Sequence, residues 1–141
     1  MKEFKYYLEK KAVKKQTPDA NTARATATAG IERMKFAKIL LKNHKPKFVL
    51  ENSYESIREY LDAILYLKGY KSYSHEATIS YILEIGLSLS EANQIDILRK
   101  QMHGIKYYGE QTTKKEASQA IKTAENIINK LRKKFPEIEV Q

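Results

Sequence analysis

The sequence predicts an all-α protein: an up-and-down antiparallel bundle of four to five main helices with an additional helical segment at the N-terminus. Three observations carry this. Apolar residues recur at three- and four-residue steps through most of the chain. No segment of useful length alternates with period two between turn signals. The links between periodic stretches run to about three to six residues, which suits antiparallel neighbours.

Residues 1–30 read as a basic N-terminal helical segment or arm, and residues 31–136 as the bundle. The longest polar stretch is KKQTPDANTARATATAG, Lys14 to Gly30. Thr17, Pro18 and Asp19 mark a break there, with Pro18 at or near the first turn of a new helix, where its missing N–H does no harm. Ile31, Met34, Ile39 and Leu41, with Phe36, Ala37 and Lys38, then give a loosely amphipathic helix ending near Asn43, ahead of Pro46. Tyr54, Ile57, Leu61, Ile64 and Leu65 form a sharper stripe, with Glu55, Arg58, Glu59 and Asp62 on the other, solvated face. Gly69 closes that helix and YKSYS is a short connector. Ser74 to Gly86 is a compact helix with Ala77, Tyr81, Ile82 and Ile85 apolar. Ser88 with Glu91, and Thr113 with Glu116, have the spacing of capping boxes. The first opens a helix striped by Ile95, Leu98, Met102 and Ile105 that runs out near Gly109. The second opens a long final helix, Ala117, Ala120, Ile121, Ala124, Ile127, Ile128, Leu131 and Phe135, that ends at Pro136.

A chain of 141 residues suits one domain, able to bury roughly two-thirds of its unfolded surface. With no cysteine, disulfide frameworks, thiolate zinc sites and cysteine nucleophiles are excluded. The longest apolar run, AILYL, falls far short of the ~20 residues of a membrane span. The N-terminus is charged throughout, without a signal-peptide core, so a cytoplasmic protein with no membrane association is expected. The net charge of +9 is unevenly spread. Residues 1–48 carry 13 Lys/Arg against 4 Asp/Glu, residues 49–98 carry 3 against 8, and residues 99–141 carry 10 against 5. Basic ends flanking an acidic middle suit a phosphate-facing surface. Lysine outnumbers arginine 21 to 5, which equally suits a solvated face.

The five glycines are scattered and build no phosphate loop. His44, His75 and His103 lack neighbours at metal-ligand spacing, apart from Glu76 beside His75, so neither a metal nor a cofactor is expected. What remains is LRKQMHGIKYYG, Leu98 to Gly109. On one helix Arg99, His103 and Tyr107 stand at i, i+4 and i+8 and share a face. Read alone, that face is either a solvated stripe at the C-terminal end of a helix, where cations complement the dipole, or a phosphate site.

This stretch, preceded by NSYESIREYLDAILYLKGYKSYSHEA (Asn52 to Ala77), resembles the HEPN domain family over roughly residues 30–135, and the short archaeal and bacterial members above all. The resemblance implies a helical bundle, commonly a homodimer. Family members are often metal-independent ribonucleases or partners of minimal nucleotidyltransferases in toxin–antitoxin pairs. The family's catalytic pattern is an arginine, a polar residue, and a histidine after four to six intervening residues. Aligned on YYG (107–109), this chain has Met102 where the arginine belongs and Tyr107 where the histidine belongs, with His103 on the polar position. No arginine stands five to seven residues before any histidine.

Metal-free RNA cleavage needs a base for the 2′-OH proton and a cation for the pentavalent phosphate. Methionine supplies no charge, and tyrosine, with a pKa near ~10, is a poor base at neutral pH. The expectation is therefore a catalytically degenerate nucleotide- or RNA-binding module. Arg99, Lys100, His103 and Lys106 would contact phosphate, and Tyr107 or Tyr108 would offer a stacking face. Two alternatives stand beside it: a metal-independent endoribonuclease using His103 as base and Arg99 as cation, and a structural dimerisation or adaptor bundle.

Overall fold

Twelve side chains of one helix, α3 (Pro46–Lys68), are buried, and the rest of the bundle is laid around it. The computed structural model describes residues 2–139. Along the chain come α1 (Phe4–Glu9), β1 (Val13–Lys15), α2 (Ala20–Lys42), α3, β2 (Tyr70–Ser72), α4 (His75–Glu84), α5 (Leu89–Tyr108), α6 (Lys114–Lys134) and a 3₁₀ turn (Pro136–Ile138). The architecture is all-α, with five main helices and the short α1, as the periodicity implies. Among the described residues no helix is long and apolar enough to cross a membrane.

The local punctuation acts as its chemistry dictates. Both capping boxes are formed, Ser88 with Glu91 and Thr113 with Glu116. Gly69 and Gly109 end α3 and α5 in the left-handed conformation. Pro18 lies just ahead of α2 rather than in its first turn; the cap is Asp19, whose carboxylate accepts from the Thr22 N–H. In α3 the expected stripe is entirely buried, as are all eight apolar positions named for the last helix. Each leucine or isoleucine buried this fully contributes about 1.5–3 kcal/mol.

Three expectations change. The α2 stripe is not Ile39 and Leu41: Ile39 is exposed and Leu41 half-buried. The buried face is Ala23, Ala27, Gly30, Ile31, Met34 and Ala37, because small residues let α2 approach α3 closely. A Cβ at Gly30 would stand 2.9 Å from the Ser56 carbonyl oxygen, which explains the glycine in mid-helix. The YKSYS connector contains β2, which pairs antiparallel with β1 in a three-residue register too short to leave a periodic signal. The charged face of α3 is not solvated. Glu55, Arg58, Glu59 and Asp62 are all half-buried, because other helices cover it: Glu59 pairs with Arg33 of α2, and Asp62 bonds Thr78 of α4. Helix α3 itself starts at Pro46, with its proline in the first turn, ahead of the apolar stripe.

Residue 30, the expected division between N-terminal segment and bundle, lies within α2. Ahead of it, Phe4, Tyr7 and Val13 are buried in the main core. Phe4 meets the ring edges or faces of Tyr70 and Tyr81 at 5.3 and 4.7 Å. This docking fixes β1 and α1 beside the start of α4, where the cavity described next opens.

Candidate nucleic-acid interface

The side chain of Ser74 accepts from the Ala77 N–H and so starts α4 immediately after β2. That places Ser74, His75 and Glu76 at the first turn, facing the C-terminal half of α5. On α5 the stripe Ile95, Leu98 and Met102 is buried, which turns Arg99, His103 and Lys106 to its flank. Between the two helices lies a cavity of about 300 Å³, lined by Ser74, His75, Glu76, Arg99, Met102, His103, Lys106 and Tyr107.

On the α5 wall, the His103 ring stands 4.7 Å from Tyr107 and 5.7 Å from Tyr108, centroid to centroid. Arg99 is held from two sides. Its Nε donates to Asp96 Oδ1 at 2.8 Å, and Nη1 is 3.7 Å from Glu76 Oε1 on α4. Asp96 also pairs with Lys100 at 3.3 Å. Burial works to raise the Asp96 carboxyl, but the bonds from Arg99 and Lys100 outweigh it and hold it below the usual aspartate value.

The α4 wall is supported from behind. The hydroxyl of Tyr54, fully buried on α3, lies 3.1 Å from His75 Nδ1. Burial pushes the Tyr54 hydroxyl far above its ordinary value, so it stays protonated. The hydroxyl donates when the neutral imidazole carries its proton on Nε2 and accepts when the proton is on Nδ1. Burial, then the charges of Arg58, Arg99 and Lys106, lower the His75 pKa against the opposing pull of Glu55. Below Tyr54, Arg58 bridges Glu55 and Asp62 on its own helix, and Asp62 accepts from the Thr78 hydroxyl at 2.9 Å. Burial raises Asp62 despite that bond and the Arg58 charge. Glu76 lies 3.5 Å from the Tyr7 hydroxyl, so α1 also braces this wall.

Of the residues the sequence singles out, Arg99, Met102, His103, Lys106 and Tyr107 share the cavity. Lys100 and Tyr108 do not line it: Lys100 turns to Asp96, and Tyr108 is 74% exposed beside His103. Ser74, His75 and Glu76, with Tyr54 behind, are the residues that sequence reasoning missed. Their signal was a serine cap followed by His-Glu, which fixes a first turn but not what faces it. Among the described residues no group of three or more histidine, cysteine, aspartate or glutamate side chains is placed to hold a metal ion.

The helical order agrees with a comparison against protein families, in which the HEPN domain matches residues 7–134. The chain belongs to the HEPN domain family. That match starts in α1 and takes in β1, so it reaches further toward the N-terminus than the motifs alone imply. No curated protein and no solved structure matches the chain. As a HEPN domain it is a nucleotide- or RNA-related module.

Proposed function

We propose that this HEPN domain binds RNA or a nucleotide in the α4–α5 cavity and does not cleave it. The observation that carries this is the convergence of Arg99, Met102, His103, Lys106 and Tyr107 on one cavity. Lys106 supplies a cationic contact and His103 a ring nitrogen for hydrogen bonding, with Tyr107, 66% exposed, as a stacking face. Turnover is disfavoured by the same residues. Met102 brings no charge to the position where the family has arginine. Arg99 is engaged by Asp96 and Glu76 rather than presented to a phosphate. The family resemblance alone supports the finer reading: a homodimer acting with a minimal nucleotidyltransferase in a toxin–antitoxin pair.

Titration of labelled RNA at two salt concentrations tests the binding. Affinity is expected to fall with salt and to drop further in the Lys100→Glu/Lys106→Glu protein. An affinity indifferent to both removes the phosphate contacts from the reading.

One observation favours a second reading, the metal-independent endoribonuclease with His103 as base and Arg99 as cation. His75 lines the same cavity, so two imidazoles are available, one to take the 2′-OH proton and one to protonate the leaving 5′-oxygen. RNA cleaved in EDTA by the wild type and spared by His103→Ala establishes that reading. RNA intact with both proteins leaves the binding module.

A further inference from the structure

The two-stranded ribbon brings two like charges face to face. In the β1–β2 register Lys14 stands directly opposite Lys71. Like charges in directly opposed positions repel. Among the described residues, none of the ion pairs involves either lysine. Both ammonium groups gather instead on aromatic rings. Lys14 Nζ is 5.6 Å from the centroid of Tyr73, and Lys71 Nζ is 5.9 Å from the same ring. Lys71 also lies 5.2 Å from the Tyr66 ring and donates to the Tyr66 hydroxyl at 2.9 Å. Tyr73 is 62% exposed, and Lys15 is exposed next to Lys14.

Paired ammonium groups around an exposed ring are the parts of a single-strand platform: the cations take phosphates and the ring takes a base. The platform adjoins the cavity. Tyr73 is two residues from His75, a backbone span of at most about 7 Å, and Ser74 between them lines the cavity itself. The ladder is anchored up to this point, since the Tyr73 N–H donates to the Ala12 carbonyl at 2.8 Å.

We propose that Lys14, Lys71 and Tyr73 form a second contact for single-stranded RNA, continuous with the α4–α5 cavity. The ligand is then an oligonucleotide rather than a mononucleotide, with one nucleotide in the cavity and the next segment drawn across the ribbon. This inference rests on the reading of the cavity as a nucleotide site. Lys14 and Lys71 leave the Tyr73 ring for the phosphates, and a base takes their place on it.

The test measures fluorescence anisotropy of labelled uridine monophosphate and of an oligouridylate of about ten nucleotides, within the ~4–16 nucleotides typical of such grooves. The proteins are wild type, Tyr73→Ala, Tyr73→Phe, Lys14→Gln/Lys71→Gln and the cavity variant Lys106→Glu. Tyr73→Ala is expected to weaken the decamer about tenfold and leave the mononucleotide unchanged, while Tyr73→Phe binds as wild type. The double lysine variant is expected to flatten the salt slope for the decamer by about 1.4, two phosphates at ~0.7 each. Decamer binding that the ribbon variants leave intact and Lys106→Glu abolishes overturns the ribbon contact alone. Equal losses for the mononucleotide and the decamer overturn the two-contact arrangement. Loss in the ribbon variants but not in Lys106→Glu keeps the ribbon and removes the cavity. No binding by the wild type removes both. Unchanged melting temperatures establish that the variants are folded.

Discussion

The α5 wall of the cavity is made of side chains that lean on one another at the surface, His103 against Tyr107 and Tyr108, with Lys106 beside them. The opposite wall is made of side chains bonded through two helices into the core, from His75 to Tyr54, and in parallel from Asp62 and Thr78 to Arg58 and Glu55. The difference is one of division of labour. Charge offered to a ligand must stay hydrated and adjustable. A surface against which the ligand is positioned must not move. Changes on the second wall should therefore appear as stability, and changes on the first as binding.

The largest effect is expected at Arg58. Replacing it with Met strands Glu55 and Asp62, both mostly buried, without their cation. Breaking such a pair by removing one partner costs about 3–5 kcal/mol when fully buried. The Arg58 side chain keeps 21% of its exposure, so a loss of about 2–3 kcal/mol is expected in urea unfolding. A loss below about 0.5 kcal/mol, the level of an ordinary surface change, erases the contrast between the walls.

Tyr54→Phe comes next. It removes only the hydroxyl bonded to His75 Nδ1, from a position with no exposure. The net loss is about 1 kcal/mol, with the packing of the ring retained. The imidazole that shares this bond carries a pH signature of its own, set by burial and then by the Arg58 charge. Folded His75 titrates below its ordinary value of 6.5, so between that value and its folded one the unfolded chain holds more protons, and stability rises with pH. Its contribution is fully present above 6.5 and is lost as the pH falls through the lowered value. Urea midpoints measured at about pH 7.5 and 5.5 should differ more in the wild type than in His75→Gln. Parallel curves for the two proteins place the acid sensitivity elsewhere.

The contrast between the walls also marks how far the sequence could be read. Capping boxes at Ser88 and Thr113 and the terminating Gly69 and Gly109 are local devices, and their spacing alone identifies them. The α5 face was legible because Arg99, His103 and Tyr107 lie on one helix at fixed angles. The α4 wall depends on contacts across 21 residues from Tyr54 to His75 and 69 from Tyr7 to Glu76. Periodicity shows that α3 has a polar face without showing that other helices cover it. The small-residue face of α2 was hidden for a related reason: Ala23, Ala27 and Gly30 carry little hydropathy, and only the closeness of α3 gives them a role.

The smallest expected effect on stability is the most discriminating for function. Lys106 forms no ion pair among the described residues, and its substitution by Gln leaves folding within about 0.5 kcal/mol of wild type. If it contacts one phosphate, the salt slope for single-stranded RNA falls by about 0.7 at the same time. Tyr54→Phe should show the reverse, a stability loss with the slope unchanged, because no charge that meets RNA has been removed. A Lys106→Gln protein that loses stability but keeps its slope, beside a Tyr54→Phe protein that loses slope, inverts the assignment of the two walls. The ligand would then sit against the α4 wall, with His75 rather than Lys106 as its first contact.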